Sequence, residues 1–309
     1  MEKMWEKERK NVLGKGEKIF QVIIHIFLIL LALCAVLPIW ILVAGSITGE
    51  QELILSGYSF IPKTLSLDAY KYLFYKGADI LRAYGITIFI TIFGTAVSLL
   101  MTPLLAYPLS RKDFKARNIF AFLVFFTMLF NGGIVPSYIM WTQIFHMKNT
   151  IWALIVPGLL MNGFNVILMK NYFAQNIPPE LIEAMKVDGA GEFCIFFKMV
   201  LPLSLPIMAT VGLFVGIGYW NDWTNGLYYI TDTSLFSLQN LLNRILQDVQ
   251  FLSSSTLSQA AGGAAAQTTM PSVSIRMAIS VVGILPIMIL YPFFQKYFVK
   301  GITIGAVKG

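Results

Sequence analysis

The chain has 309 residues, of which 57% are hydrophobic and 13% are charged, and its net charge is +7. Soluble domains carry about 25% charged residues, so this composition excludes a soluble catalytic domain, a disordered protein and a disulfide-rich secreted fold. The mean hydropathy of +0.70 agrees, and the basic residues flank apolar segments, a pattern typical of membrane proteins rather than of nucleic-acid binding. With only Cys34 and Cys194 available, we expect no disulfide.

Six apolar stretches are long enough to cross a bilayer, whose core needs about 20 helical residues. In chain order they cover residues 19–44, 84–109, 118–141, 150–169, 203–220 and 277–295. The first stretch is too long for a signal peptide and lacks its small-residue cleavage site, so we interpret it as a membrane anchor. The sequence therefore predicts an all-α integral membrane protein with six transmembrane helices.

The distribution of Lys and Arg predicts the orientation, because these residues concentrate in cytosolic loops. If successive loops lie on opposite sides of the membrane, sixteen of the 23 basic residues fall on the side that holds both termini and seven on the other. We therefore expect cytosolic tails at 1–18 and 299–309, with a six-helix transmembrane domain at 19–298 between them.

Two long outer segments connect the predicted spans. The segment 46–83 is long enough for an interfacial helix, which we expect at 67–81. The large outer loop 221–274 ends in a stretch rich in Ser, Ala, Gly and Gln, at 253–269, that has few residues to bury and is predicted to be flexible.

The interiors of the predicted spans lack ionisable residues, apart from His25 near the inner end of the first span. A charge at the bilayer centre costs about 2.5–3.5 kcal/mol, so it is kept where it has a function. Transporters driven by protons or sodium usually keep such residues. An ATP-independent secondary transporter or a channel is therefore disfavoured, but stays an alternative.

Motifs for enzymatic chemistry are also missing. The sequence has no phosphate-binding loop, no cluster of metal ligands and no Ser/His/Asp pattern, so we expect no catalytic residue, metal or cofactor in this chain. A membrane enzyme acting on lipid-linked sugars is a second alternative, but no paired carboxylates accompany Asp222 or Arg244. Uphill transport would have to be driven by another subunit.

The cytosolic loop 171–202, between the fourth and fifth spans, carries the main functional signal. Pro178, Pro179 and Glu180 indicate the start of a short helix, Gly189 interrupts it, and a second helix leads to Pro202, where we expect span five to begin. The first helix has an apolar stripe formed by Leu181, Ile182, Ala184 and Met185. This stripe favours docking to a partner protein, and an interfacial helix lying on lipid is the alternative.

Several motifs resemble those of a known family. The membrane subunits of ABC importers share the pattern Glu-Ala-Ala, three residues, Gly, nine residues, Ile-x-Leu-Pro, which is similar to Glu183-Ala184-Met185, Gly189 and Met199-x-Leu201-Pro202. Met185 and Met199 depart from the pattern but keep an apolar contact. Three segments resemble carbohydrate-importer permeases of the maltose-permease (MalG-like) type: 220–222, 294–298 and 301–309. Two others, 130–136 and 61–64, resemble the LplC/YtcP branch, whose members are associated with complex oligosaccharides.

This resemblance, which covers nearly the whole chain, implies a type I ABC importer permease in the bacterial inner membrane. It implies a heterodimer with a second homologous permease, an extracytoplasmic solute-binding protein, and two ATP-binding subunits that hold ATP and Mg. The short helix of the loop would sit in a cleft of the ATPase, with Glu183 paired to a basic residue. The residues expected to couple to the ATPase are Leu181, Glu183, Ala184, Met185, Asp188, Gly189, Leu201 and Pro202. For Asp188, a turn-forming or capping role is equally open.

Candidates for the sugar path are aromatic and amide side chains near the outer halves of spans three to five, since such groups recognise sugars. They are Asn131, Tyr138, Asn165, Trp220, Asn221 and Trp223. We favour the alternative that the tryptophans anchor the membrane interface and the asparagines join helices. In better-known relatives the other permease can make most of the sugar contacts. Gly212 and Gly216 predict a close helix contact.

Overall fold

The computed structural model describes residues 15–75, 77–254 and 272–306, and nearly all of the predicted flexible stretch 253–269 lies outside them. The described part of the chain is helical, as expected, and its only β pairing is an isolated bridge between Thr48 and Leu65. It divides into two compact units. Within the described residues, the first unit comprises 15–75, 252–254 and 272–282, and the second comprises 77–251 and 283–306.

The first unit contains helices α1 (Lys15–Ser46), α2 (Glu50–Ser56) and α3 (Asp68–Tyr75) and the beginning of the last helix, α14 (Ser272–Ala306). Every side chain from residue 16 to residue 38 is exposed, as expected of an apolar helix surrounded by lipid. Helix α3 lies within the segment 67–81, where an interfacial helix was expected, and it ends at Tyr75.

In the same unit, Glu50 joins the outer segment to the start of α14. Its carboxylate accepts hydrogen bonds from the backbone N–H groups of Val273 (2.8 Å) and Ser274 (2.9 Å). These N–H groups have no partner inside the helix, so the carboxylate caps the positive end of α14.

The second unit contains most of the helices. In chain order they are α4 (Gly77–Ser110), α5 (Arg117–Leu129), α6 (Ile134–Ile144), α7 (Trp152–Ile155), α8 (Gly163–Asn176), α9 (Pro179–Val187), α10 (Glu192–Leu203), α11 (Leu205–Asn221), α12 (Thr224–Tyr229) and α13 (Leu238–Ser254), followed by the rest of α14. Helices α12 and α13 lie in the large outer loop, for which the sequence predicted no helix.

The core of this unit forms where α4 packs against α8 and α11. On α4 the buried residues recur at every fourth position, which places them along one face of the helix; they are Ile90, Gly94, Ser98, Thr102 and Ala106. Small residues on this face let α11 come close. The predicted close contact at Gly212 and Gly216 is confirmed: Leu99 lies 3.0 Å from the Cβ position of Gly212, and Thr95 lies 3.6 Å from that of Gly216.

Among the described residues, two single helices are long and apolar enough to cross a membrane, Gly16–Ser46 and Gly77–Ser110, and they contain the first two predicted spans. The number rises to four when each of two bent pairs, α5 with α6 (111°) and α10 with α11 (81°), is taken as one span. The predicted third span is therefore bent. The bend follows Asn131, whose side chain accepts a hydrogen bond from Gly133 N–H (2.9 Å), and Gly133 has a φ of +85° that favours glycine.

The predicted fourth span, 150–169, is wrong as a continuous helix. Helix α7 ends at Ile155, Gly158 has a φ of +73°, and α8 begins only after Asn162. The Asn162 side chain caps α8 by accepting a hydrogen bond from Phe164 N–H at 2.9 Å.

The fifth and sixth predicted spans correspond to helices with different starts. The helix expected to begin at Pro202 begins at Leu205, because the chain bends at Ser204 and Pro202 lies inside α10. The sixth predicted span, 277–295, lies within α14, and its described apolar stretch is Val273–Ile289.

Candidate functional site

The loop 171–202 folds as predicted, with helix α9, a tight turn and helix α10. Pro178 and Pro179 stand at the first turn of α9, where a missing N–H costs nothing. At its other end, Gly189 N–H donates to Lys186 O (3.0 Å) and Ala190 N–H donates to Met185 O (2.9 Å). This pair of bonds is a Schellman motif, which ends a helix with a residue in the left-handed conformation. Gly189 has that conformation, with a φ of +79°, so its predicted role in the turn is confirmed.

The apolar stripe predicted on α9 is divided between two faces. Ile182 is 6% exposed and belongs to the core, and half-buried Met185 packs against it. Leu181 is 43% exposed, and Ala184 also faces outward. Only Leu181 and Ala184 of the predicted stripe are therefore exposed, because Ile182 and Met185 hold α9 against the core.

The acidic candidates lie on the exposed surface of the loop. Glu183 and Asp188 are exposed, and neither has an ion-pair partner among the described residues. Asp188 ends α9, and its backbone N–H donates to Ala184 O at 3.0 Å. Leu201 and Pro202 lie in α10, away from this face; Leu201 packs against the core and Pro202 is exposed.

An ion network that the sequence did not predict joins this loop to the C-terminal end of α4. It consists of Arg111, Asp113, Lys186 and Glu192. Lys186 Nζ lies 2.9 Å from Glu192 Oε1 and 3.5 Å from Asp113 Oδ2. Arg111 donates from Nε to Asp113 Oδ1 (2.9 Å), and its Nη1 lies 3.6 Å from Glu192 Oε2. The Tyr107 hydroxyl bridges two members of the network: it accepts a hydrogen bond from Arg111 Nη1 (2.8 Å) and donates one to Glu192 Oε2 (3.1 Å).

The network holds all four groups in their charged forms. The hydrogen bond from Arg111 lowers the pKa of the Asp113 carboxyl to about 2 and raises the pKa of Arg111. The hydrogen bond between Lys186 and Glu192 raises the pKa of Lys186 and lowers the pKa of Glu192. With two positive and two negative groups, the network has no net charge, so it is suited to joining segments rather than to binding an ion.

The surroundings of the network are partly apolar. Only 14% of the Arg111 side chain is exposed, and its guanidinium lies 5.7 Å from the centre of the Tyr107 ring. An open cavity of about 380 Å³ adjoins it and is lined in part by Phe114, Phe193 and Phe196. Low polarity strengthens charge–charge interactions. The sequence offers one signal for the network, since Lys186 and Glu192 stand on either side of the Gly189 turn. This signal does not reveal their partners Arg111 and Asp113.

The sugar-path candidates do not form one cluster. Trp220 is buried and donates from Nε1 to Gly283 O (3.2 Å). Asn131 is bonded within its own turn, and Tyr138 stacks on Tyr229 with ring centres 6.1 Å apart. Asn221 and Trp223 are exposed at the end of α11.

Asn165 has a different position. It is 6% exposed and lines a cavity of about 520 Å³ between α8 and α11, together with Asn162 and Phe214. Of the six candidates, only Asn165 shares a described cavity with a second amide side chain, that of Asn162.

Comparison with known proteins agrees with this architecture. Residues 94–304 match the family described as binding-protein-dependent transport system inner membrane component. The chain belongs to this family. It is 41% identical to protein LplC of Bacillus subtilis (strain 168) over 96% of this chain and 97% of the relative. It is 40% identical to the polygalacturonan/rhamnogalacturonan transport system permease protein YtcP of the same strain, over 94% of this chain and 99% of the relative.

The fold is also similar to a solved structure. A chain from the crystal structure of a bacterial ABC transporter involved in the import of the acidic polysaccharide alginate superposes with a TM-score of 0.75 and 30% sequence identity. The match covers 93% of this chain and 99% of that chain. The resemblance drawn from the sequence motifs is confirmed: the chain has the all-helical type I ABC permease fold and is an integral inner-membrane protein.

Proposed function

We propose that this chain is the permease subunit of an ATP-driven importer for oligosaccharides, and that it receives its energy through helix α9. The observation that carries the proposal is the division of α9 into two faces. Ile182 and Met185 fix the helix to the core, whereas Leu181, Ala184 and Glu183 face outward. A helix that is packed against the core along one face and exposed along the other transmits a displacement imposed by a partner subunit.

In this proposal the outward face of α9, here called the coupling face and made of Leu181, Glu183 and Ala184, docks into a cleft of a cytosolic ATPase. The Glu183 carboxylate is exposed and has no ion-pair partner among the described residues, which suits an ion pair between subunits. Two ATPase subunits bind ATP and Mg, and this chain hydrolyses nothing itself.

The proposed topology has six membrane crossings with both termini in the cytosol. The bias of Lys and Arg supports it, because the loops on the side of α9 hold most of the basic residues. The bent pairs α5–α6 and α10–α11 each supply one crossing, and α8 with the segment before it supplies another. A second, homologous permease completes the path, and a solute-binding protein delivers the sugar from outside.

The proposed substrates are complex oligosaccharides, including those that carry uronate groups. The support comes from the relatives, since one is named for polygalacturonan and rhamnogalacturonan transport and the structural neighbour imports alginate. Asn165 and the cavity beside it are the proposed contribution of this chain to the sugar path.

The test is uptake by the assembled transporter in proteoliposomes, with a second permease, an ATPase and a solute-binding protein from the same organism. We expect uptake of labelled oligogalacturonides that requires ATP and the binding protein. Neutral oligosaccharides in the same assay define the substrate class. Uptake that proceeds without ATP would contradict the proposal and favour a secondary transporter.

A further inference from the structure

We propose that the ion network of Arg111, Asp113, Lys186 and Glu192 is the link through which helix α9 moves helix α4. Arg111 is then a positioning residue for the coupling of ATP hydrolysis to transport. This inference rests on the proposed function, because it assumes that α9 receives the movement of an ATPase.

The covalent chain attaches α9 only to its neighbours. Before α9 the chain leads to α8, and after it the Gly189 turn leads to α10 and on to α11. Neither connection reaches α4. The network supplies this third attachment, since Lys186 lies in the last turn of α9 and Glu192 in the first turn of α10. Their partners Arg111 and Asp113 directly follow the last turn of α4, which ends at Ser110.

The form of the network suits a mechanical link. Each basic side chain contacts both carboxylates, so the four groups form a closed ring rather than separate pairs. Arg111 contacts Asp113 through both Nε and Nη2, and the planar guanidinium fixes orientation better than a lysine would. Tyr107 extends the ring into α4 itself, because its hydroxyl bonds to both Arg111 and Glu192.

Movement of α4 reaches the rest of the unit directly. Its buried face is the surface on which α8 and α11 pack, at residues such as Gly94 and Ala106. A tilt of α9 that pulls α4 therefore moves the three core helices together. Without the ring, α9 keeps its packing on the core through Ile182 and Met185 but has no ion pair to the end of α4, so part of its movement is lost before it reaches α4.

The test compares the number of ATP molecules hydrolysed per sugar imported by the reconstituted transporter. We expect Arg111→Gln and Glu192→Gln each to raise this ratio by about three- to tenfold, as expected of residues that carry coupling between distant sites. Lys112→Gln is the matched control, since it removes a neighbouring exposed charge that is not part of the network, and it should keep the wild-type ratio.

The double variant separates a link from a general structural role. Because both residues belong to one ring, Arg111→Gln with Glu192→Gln should raise the ratio no further than the stronger single variant. Additive effects, or a wild-type ratio in both single variants, would overturn the inference. If the Arg111 variant fails to assemble, the same comparison uses Lys186→Gln, whose side chain is on the surface.

A failure of the proposed function gives a different result. In that case the wild-type transporter itself shows no ATP-dependent uptake. Failure of the ion network as a link gives normal wild-type uptake, with single variants that are coupled as tightly as the wild type.

Discussion

The ring of Tyr219 lies directly on the backbone of Gly94. A Cβ atom built on Gly94 would overlap the Tyr219 ring, so no larger residue fits at this point of α4 without displacing α11. The Tyr219 hydroxyl donates a hydrogen bond to Ile155 O at 2.7 Å, at the end of α7. This contact therefore fixes three segments of the second unit, two of which are helices of its core.

Substitution of Gly94 should destabilise the protein more than substitution elsewhere on the same helix. We expect Gly94→Leu to prevent accumulation of folded protein, because a packed core does not accommodate the added side chain. Tyr219→Phe should cost about 1–2 kcal/mol, the effect of leaving the buried Ile155 carbonyl without its partner. The amount of folded protein in membranes measures the first effect, and thermal unfolding in detergent measures the second.

Gly85→Ala provides the control for this comparison. Gly85 lies on α4 as well, and a Cβ there meets nothing within 4 Å. Equal thermal stability of Gly94→Leu and Gly85→Ala would contradict the packing argument.

The sequence predicted those parts of the fold and the site that depend on local signals. Apolar length predicted α1 and α4, and the proline and glycine positions predicted α9 and the turn at Gly189. The continuous fourth span was wrong because its apolar composition concealed a break near Gly158, whose positive φ is a matter of backbone conformation and not of hydropathy.

The ion network escaped prediction for a different reason. Glu192 and Tyr107 are 85 residues apart in the chain, and a charge pattern reveals neighbours only within a helix, three or four positions apart. The same limit applies to the apolar stripe of α9. Its period predicted an amphipathic helix, but not that Ile182 would pack in the core while Leu181 faced outward.

The turn between α9 and α10 should tolerate a change at Gly191 better than a change at Gly189. Gly189 has a φ of +79° and Gly191 has an ordinary φ of −74°, and a Cβ at either position meets nothing within 4 Å. The difference between the two is thus purely conformational. We expect Gly189→Val to cost at least about 1–2 kcal/mol, the penalty of the left-handed region, and to reduce ATP-dependent uptake.

Gly191→Ala serves as the matched control and should leave both stability and uptake near wild type. Thermal unfolding and uptake by the reconstituted transporter measure the two variants side by side. If Gly189→Val were as active as Gly191→Ala, the turn would not need its left-handed residue.

Neighbouring positions on α9 should separate docking from folding. Leu181→Asp places a charge on the outward face, so we expect normal amounts in the membrane but loss of ATP-dependent uptake. Ile182→Asp buries a charge in the core, where an unpaired carboxylate is costly, so we expect little folded protein. Immunoblots of membranes and uptake assays distinguish the two outcomes.

Glu183→Lys tests the same surface by reversing a charge. It should behave like Leu181→Asp, since it turns an attractive contact with the ATPase into a repulsive one. Normal uptake and normal co-purification of the ATPase with both variants would show that the coupling face does not dock.

This permease should not form a functional path without a second one. Helix α5 has no buried residue, and the side chains of α1 from residue 16 to residue 38 are all exposed. Such surfaces face lipid or another subunit. The described polar side chains are too scattered for this chain, without a second permease, to line a path for a sugar. We expect no substrate-stimulated ATP hydrolysis when this chain is reconstituted with the ATPase alone. Hydrolysis at the level of the complete transporter would refute the requirement.

The acid stability of the transporter should report the state of the ion network. In the folded protein the pKa of Glu192 lies below its ordinary value of 4.5 and the pKa of Asp113 is about 2. A carboxyl group whose pKa is lowered by folding stabilises the folded protein at every pH above its pKa in the unfolded chain. This stabilisation is lost as the pH falls through its pKa in the folded protein. Lys186 acts in the opposite direction: its raised pKa contributes stability below the ordinary value of 10.5, lost only in stronger base.

Wild type should therefore be more stable than Glu192→Gln by a constant margin from about pH 6 to pH 9, and the margin should shrink below about pH 4. We expect the margin to stay under about 1 kcal/mol, because Glu192 is more than half exposed and water screens its charge. Thermal unfolding of the assembled transporter at a series of pH values measures it. High salt should reduce the same margin, since exposed ion pairs are screened. A margin that is unchanged in both acid and salt would show that Glu192 stabilises the loop by packing and not by its charge.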